Sequence, residues 1–241
     1  QVNIADFKLQ LWEAGEKILE MKVVVGRDYR RTPVFSETLT YLVFNPYWNV
    51  PFRIAVKDKL PLIQEDPTYL TRNHFRVFAN WQQDAPQVDP ASVDWSRLSK
   101  ANFRMRLRQE PGPHNALGQI KFMFPNPFAV YLHDTSEPDL FSRDVRTFSS
   151  GCIRIADPLG LAEYLLKGQS PWTRERIEAA IESRRQRVVH LARPLPIHLL
   201  YWTAWADPDG TLQFRNDIYH RDQPLDQALL SRLTLPENSA E

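Results

Sequence analysis

The sequence predicts a mainly β fold with helices added (α+β), in which a helical insertion at residues 51–102 interrupts a β-rich domain. Three observations predict it. Apolar and polar residues alternate near the start, the pattern turns short and helical after Pro46 and Pro51, and period-two runs return after two capped helices. With 241 residues, 43% hydrophobic and 12% aromatic, the chain has length and apolar material for one domain carrying an insertion.

The first element is a hairpin. "FKLQLWEAGEKILEMKVVV" alternates through Leu9 and Leu11, turns at Glu13–Glu16 around Gly15 and resumes toward Val25. "LTYLVFNPYWNVPF" is a second apolar run, broken by Pro46 and Pro51, with Trp48 exposed between these strand terminators. Inside the insertion, Asp66 and Pro67 read as an N-cap and a first helical residue. A strand-like "FRVFANW" follows, then a short helical turn at "DPASVDWSRLS". "NFRMRLRQ" restores a period of two, with Phe103, Met105 and Leu107 on one face and Arg104, Arg106 and Arg108 on a face expected to be solvated.

A Pro- and Gly-rich turn at "EPGPHNALGQ" leads into two β-type runs, the second ending at His133. Asp157 and Pro158 open a helix through about Lys167, stopped by Gly168, and Thr173 caps another through about Arg185. "PIHLLYWTAWADPDGTLQFRNDIY" then gives two strands about an Asp-Pro-Asp-Gly turn, and "PENSAE" reads as a loose tail.

Thirty basic against twenty-nine acidic residues leave a charge of +1, which gives no global attraction for nucleic acid or anionic membrane. No apolar run approaches the ~20 residues of a membrane span, so no transmembrane segment is expected. The first residues lack the pattern of a signal peptide, and Gln1 is not an initiator methionine, so the sequence reads as a fragment or a processed form.

A single cysteine, Cys152, excludes an intrachain disulfide framework and a multi-cysteine zinc site. It sits in "TFSSGCIRIADP", where Ser149, Ser150 and Gly151 are poor core material but present backbone N–H groups well. An ordinary thiol is mostly protonated at neutral pH, so a nucleophilic Cys152 needs a base or a positive neighbour. Among six histidines, His133 ends an apolar run one loop before the cysteine, while His114 in "PGPHN" stays open as an alternative. No G-x-S-x-G, H-E-x-x-H, P-loop or G-x-G-x-x-G motif occurs, and no cofactor or metal site is expected. Backbone N–H groups at Gly151 and Cys152 are candidates for holding a carbonyl's developing charge. On the residues alone, a nucleophilic thiol and a binding module with an incidental thiol both stand.

The stretch from His133 through "SSGCIRI" resembles the YkuD-type L,D-transpeptidases of bacterial cell walls. Their pattern is a histidine, a loop of about fifteen residues, Ser or Thr, one residue, Gly and Cys; here residues 134–148 form the loop, followed by Ser149, Gly151 and Cys152. "NPYWNVP", "PGPHNALGQIKFMFPN", "YLHDT" and "FSSGCIR", in that order, resemble the large periplasmic Gram-negative branch often called YcbB.

The resemblance implies a β-sandwich or barrel-like catalytic domain, formed by residues 1–50 and 103–241, with a capping insertion at 51–102. It implies that Cys152 attacks a peptidoglycan tetrapeptide stem after the L-centre of its diamino acid, releases D-alanine and leaves a thioester. A side-chain amine of an acceptor stem resolves that thioester; water as acceptor would give carboxypeptidase activity, and a non-catalytic wall-binding domain is the rival reading. By the same analogy His133 is the general base, with its protonated form stabilising the thiolate. Tyr131, on the same strand face, adds a hydroxyl to the oxyanion site, and Arg154 either anchors a stem carboxylate or braces the loop. Asp134 or a backbone carbonyl would orient His133. Ser150, where many relatives carry histidine, reads as a mark of the branch. Trp48 and Trp81 are candidates for substrate contact or for hinge packing. The resemblance also implies acylation by carbapenems, a cell-envelope location and further regions before Gln1.

Overall fold

A computed structural model describes residues 1–233; the "PENSAE" tail lies outside them. In chain order the first four strands are β1 (Val2–Asn3), β2 (Lys8–Glu13), β3 (Glu16–Gly26) and β4 (Phe35–Phe44). A smaller module follows: β5 (Trp48–Asn49), α1 (Phe52–Ile54), a π-helical turn at Ala55–Lys59, α2 (Leu60–Glu65), α3 (Tyr69–Arg72), β6 (Phe75–Phe78), β7 (Gln87–Val88) and β8 (Arg106–Gln109). The chain then returns with β9 (Ile120–Met123), β10 (Leu132–His133), β11 (Thr147–Ser149), β12 (Ile153–Ile155), α4 (Pro158–Leu166) and α5 (Arg174–Glu182). It continues through β13 (Arg187–Leu200), β14 (Ala204–Ala206), β15 (Leu212–Phe214) and α6 (Asp222–Leu233).

The large sheet runs β11-β3-β12-β10-β9-β4-β13-β1-β2, and β2 pairs back onto β3, so the ring closes into a barrel. Closure removes edges that would otherwise expose unpaired backbone groups. The N-terminal hairpin turns at Ala14 and Gly15, both at positive φ, as a two-residue turn between twisted strands requires. Leu9 and Leu11, alternating along β2, point inward with Val23, Phe44, Phe122 and Leu132. Asp157 caps α4 by accepting the Gly160 N–H at 2.8 Å, and Thr173 caps α5 through Arg176, as their side-chain chemistry predicts. The fold is thus mostly β, with a barrel core and a few helices.

The small sheet, ordered β5-β8-β6-β7, has its own apolar cluster around Val50, Ile63, Leu70, Phe103 and Leu107. Its strands reach outside residues 51–102, because Trp48 and Asn49 pair with Gln109 and Arg108. Three local expectations change here. Trp48 is buried, covered by the Lys59 ammonium 5.4 Å from its ring. Asp66 does not cap a helix starting at Pro67; its carboxylate accepts the N–H and hydroxyl of Thr68, and α3 begins at Tyr69. Arg106 and Arg108 are not simply solvated, since both guanidinium groups lie over the Phe78 ring, at 4.3 and 4.8 Å.

β14 and β15 form the hairpin expected about Asp207–Gly210, and α6 follows. Tyr219 locks this C-terminal segment to the barrel: its hydroxyl donates to Gly26 O at 2.5 Å and accepts the Thr32 N–H at 3.2 Å. Among the described residues, no helix is long and apolar enough to cross a membrane.

Candidate active site

β10 and β12 lie parallel, with Leu132 opposite Ile153 and His133 opposite Arg154. Parallel neighbours need a long crossover, which residues 134–152 provide. The Ile153 N–H donates to Tyr131 O at 3.1 Å, so the preceding residue, Cys152, is placed beside Tyr131. The β10–β12 pairing thus brings two residues distant in sequence, His133 and Cys152, to the wall of one cleft. Both residues line a cleft of about 910 Å³ between the barrel and the small sheet, whereas an apolar hollow of about 510 Å³ near β2 and β13 contains neither.

His133 is buried, and its Nδ1 lies 2.5 Å from the backbone oxygen of Asp134. A carbonyl only accepts, so Nδ1 carries the proton and Nε2 keeps the lone pair that a general base needs. The Asp134 carboxylate is engaged elsewhere, accepting the N–H groups of Gln119 at 2.8 Å and Thr135 at 2.7 Å. Of the two orienting groups considered for His133, the structure therefore uses the carbonyl. His114 stacks on His74 instead, with ring centroids 5.0 Å apart.

Burial, then the positive charge of Arg154, drives the His133 pKa down to about 3, and Lys121 pushes in the same direction. Burial also pushes the Cys152 thiol up, against the opposing pull of Tyr131, Lys121 and Arg154. Both shifts favour the uncharged forms, a neutral imidazole and a neutral thiol. Burial works against the expected imidazolium–thiolate pair, because both charges would have to form in a desolvated site.

The cysteine turn is held by its own side chains. Ser149, buried, donates its hydroxyl to Cys152 O at 2.5 Å and accepts the Gly151 N–H at 3.0 Å. That bond bears on one expectation: the Gly151 N–H is already taken by Ser149, which leaves the Cys152 N–H and the Tyr131 hydroxyl as the remaining candidates for oxyanion donors. Gly151 sits at φ +118°, a conformation that favours glycine. Thr32 accepts the Gly26 N–H and donates to Gly151 O, both at 2.9 Å, tying the turn to the end of β3. Cys152 Sγ is 3.8 Å from Ala129 O, and Tyr131 interacts with the sulfur through both its backbone N–H and its hydroxyl.

Arg154 braces the loop through an ion pair with Glu137, and its Nε is buried without a hydrogen-bond partner. Ser150 Oγ accepts from Arg30 Nη1 at 2.8 Å. Trp48 forms part of the cleft wall, packed with Phe75 at 6.1 Å between ring centroids, while Trp81 is exposed and outside the cleft lining. Arg30, Asp58 and Lys121 were not singled out by sequence, because only pairing between distant segments brings them to the cysteine. Among the described residues no group of three His, Cys, Asp or Glu side chains could hold a metal ion.

The family model described as "YkuD: L,D-transpeptidase catalytic domain" matches residues 1–177. A Haemophilus influenzae protein named "Putative L,D-transpeptidase" is 39% identical over 227 residues, covering 94% of this chain and 45% of that protein. The chain thus spans less than half the length of that relative. With its catalytic-domain match running from β1 into α5, the chain belongs to the YkuD family of L,D-transpeptidase catalytic domains.

Proposed function

We propose that this chain is a cysteine acyltransferase of peptidoglycan, an L,D-transpeptidase that links the third residues of two stem peptides. The observation that supports the proposal is the parallel register of β10 and β12, which puts Cys152 beside Tyr131 in the cleft that His133, its tautomer fixed by the Asp134 carbonyl, also lines.

The chemistry follows from those groups. As Sγ attacks the carbonyl carbon between the diamino acid and D-alanine, the thiol proton passes to His133 Nε2. The oxyanion forms against the Cys152 N–H and the Tyr131 hydroxyl. The C–N bond then breaks, His133 returns the proton to the departing D-alanine amine, and a thioester remains. The acceptor side-chain amine attacks the thioester, loses a proton to His133, and the new amide forms as the thiol is restored. Water in place of that amine gives the carboxypeptidase product.

On this reading the module at 51–102 caps the cleft and limits water, and the domain works on the wall, in the periplasm or cell envelope, as part of a longer protein of the YcbB-like branch. A carbapenem presents a strained acyl donor to the same groups. Incubation with a carbapenem and intact-mass analysis tests the proposal, with Cys152→Ala and His133→Ala alongside. One adduct on Cys152, lost in the first variant and slowed in the second, is the expected result. A folded parent chain with no adduct, binding stem peptides without consuming them, would make the domain a docking platform instead.

A further inference from the structure

β9 and β12 flank β10, and the registers set Lys121 opposite His133 on one side and Arg154 opposite it on the other. Directly opposed residues share a sheet face, so the imidazole stands between two cations. They differ in one respect. Arg154 has the Glu137 carboxylate, whereas Lys121 has no ion-pair partner among the described residues. The Lys121 ammonium instead lies 3.9 Å from the centroid of the Tyr131 ring, and Lys121 lines the cleft.

A desolvated ammonium without a counter-ion is costly, and a cation over a ring face recovers only part of that cost. Such a charge is useful where an anion forms during turnover. The anion here is at hand: Tyr131, beneath the ammonium, lies beside Cys152 in the β10–β12 pairing, and its hydroxyl interacts with the sulfur. Lys121 and the thiol favour each other's charged forms, while burial opposes both. The charged and titratable groups around the sulfur are Tyr131 and His133 on the β10 segment, Lys121 on β9, and Arg154 with Glu137. Arg30 and Asp58 stand beyond Ser150.

Resting on the proposed function, we propose that Lys121 is a positioning residue that supplies, through the face of the Tyr131 ring, the counter-charge for the Cys152 thiolate and the oxyanion formed after its attack. A positive charge over the ring polarises the phenol, strengthens its O–H as a donor and steadies negative charge at the sulfur. Lys121 keeps its protons throughout; the thiol proton goes to His133 Nε2.

The test is the rate of Cys152 alkylation by the uncharged reagent iodoacetamide from pH 5 to 10. It compares the parent chain, Lys121→Met, Lys121→Gln and Lys121→Arg, with Cys152→Ala as blank and thermal melting to confirm folding. In the neutral variants the thiol midpoint moves up by about one pH unit, and alkylation at pH 7 slows about tenfold. Lys121→Arg keeps most of the parent rate, and in a Tyr131→Phe background Lys121→Met has little further effect. A folded Lys121→Gln with the parent's pH profile but a raised donor KM would overturn the inference and make Lys121 a stem-carboxylate anchor. Failure of the function itself looks different: His133→Ala would alkylate as the parent does, and no stem peptide would be consumed.

Discussion

Arg30 grips Asp58 with both ends of its guanidinium group, Nη1 to Oδ2 at 2.5 Å and Nη2 to Oδ1 at 2.7 Å. The same Nη1 reaches Ser150 Oγ, two residues before the cysteine. Asp58 belongs to the π-helical turn of the small module, so one buried arginine connects that module to the cysteine turn. Asp58→Asn keeps the shape and removes the charge. It should cost about 1–3 kcal/mol by denaturant titration, toward the low end because Asp58 is 36% exposed. Iodoacetamide alkylation of Cys152 should slow in the same variant. Asp28→Asn, which breaks the exposed pair with Arg31, should change stability by less than about 1 kcal/mol and leave alkylation alone.

His133 makes the protein acid-sensitive in a defined window. Folded, it stays neutral down to about pH 3; unfolded, it protonates near pH 6.5. Between those values the unfolded state binds the extra proton. Its contribution to stability therefore falls as pH drops from about 6.5 toward 3, by about 1.4 kcal/mol per pH unit at steepest. Urea midpoints measured from pH 7 to 4 should show that slope, and His133→Gln should reduce it. An equal slope in the variant would mean that other groups set the acid limb.

Ser149 is the internal brace of the cysteine turn. Ser149→Ala leaves the Gly151 N–H and the Cys152 carbonyl without their shared partner in a buried place, a loss of about 1–3 kcal/mol. Ser149→Thr keeps the hydroxyl and should stay closer to the parent. The measurements are melting temperature and carbapenem acylation rate, both expected to fall in the order parent, Thr, Ala. A Ser149→Ala chain acylated at the parent rate would show that the turn holds itself.

Local chemistry was legible in the sequence where neighbours in the chain decide it. Asp157 and Thr173 cap helices with their own side chains, Leu9 and Leu11 alternate on one strand, and His133 and Cys152 stand at the spacing of a family pattern. What stayed hidden depends on pairing between distant segments. Lys121 faces His133 only because β9 and β10 align, and Arg30 meets Asp58 only after the small module folds back. Trp48, between two prolines, looks like a loop residue until β8 pairs beside it and Lys59 covers it. The Gly151 N–H looked free because the bond that occupies it comes from Ser149, two residues away in a tight turn. α6 gave no core-facing pattern, since Leu225 and Leu229 remain exposed.

Gly118 protects the orientation of His133 from one residue away in space. It sits at φ +62°, and a Cβ there would collide with Cβ, Cγ and Oδ2 of Asp134. That carboxylate holds the Gln119 N–H, and the backbone oxygen of the same residue holds His133 Nδ1. Gly118→Ala must therefore push Asp134 aside and with it the carbonyl that fixes the imidazole tautomer. Gly15→Ala is the comparison, because Gly15 also has positive φ, +86°, but open space where its Cβ would go. It carries only the backbone cost, about 1–2 kcal/mol. Gly118→Ala should lose more stability than that and should also slow alkylation of Cys152, whereas Gly15→Ala should leave the thiol's reactivity unchanged. Equal melting temperatures and equal alkylation rates in the two variants would mean that Asp134 gives way freely and that His133 is held by burial alone.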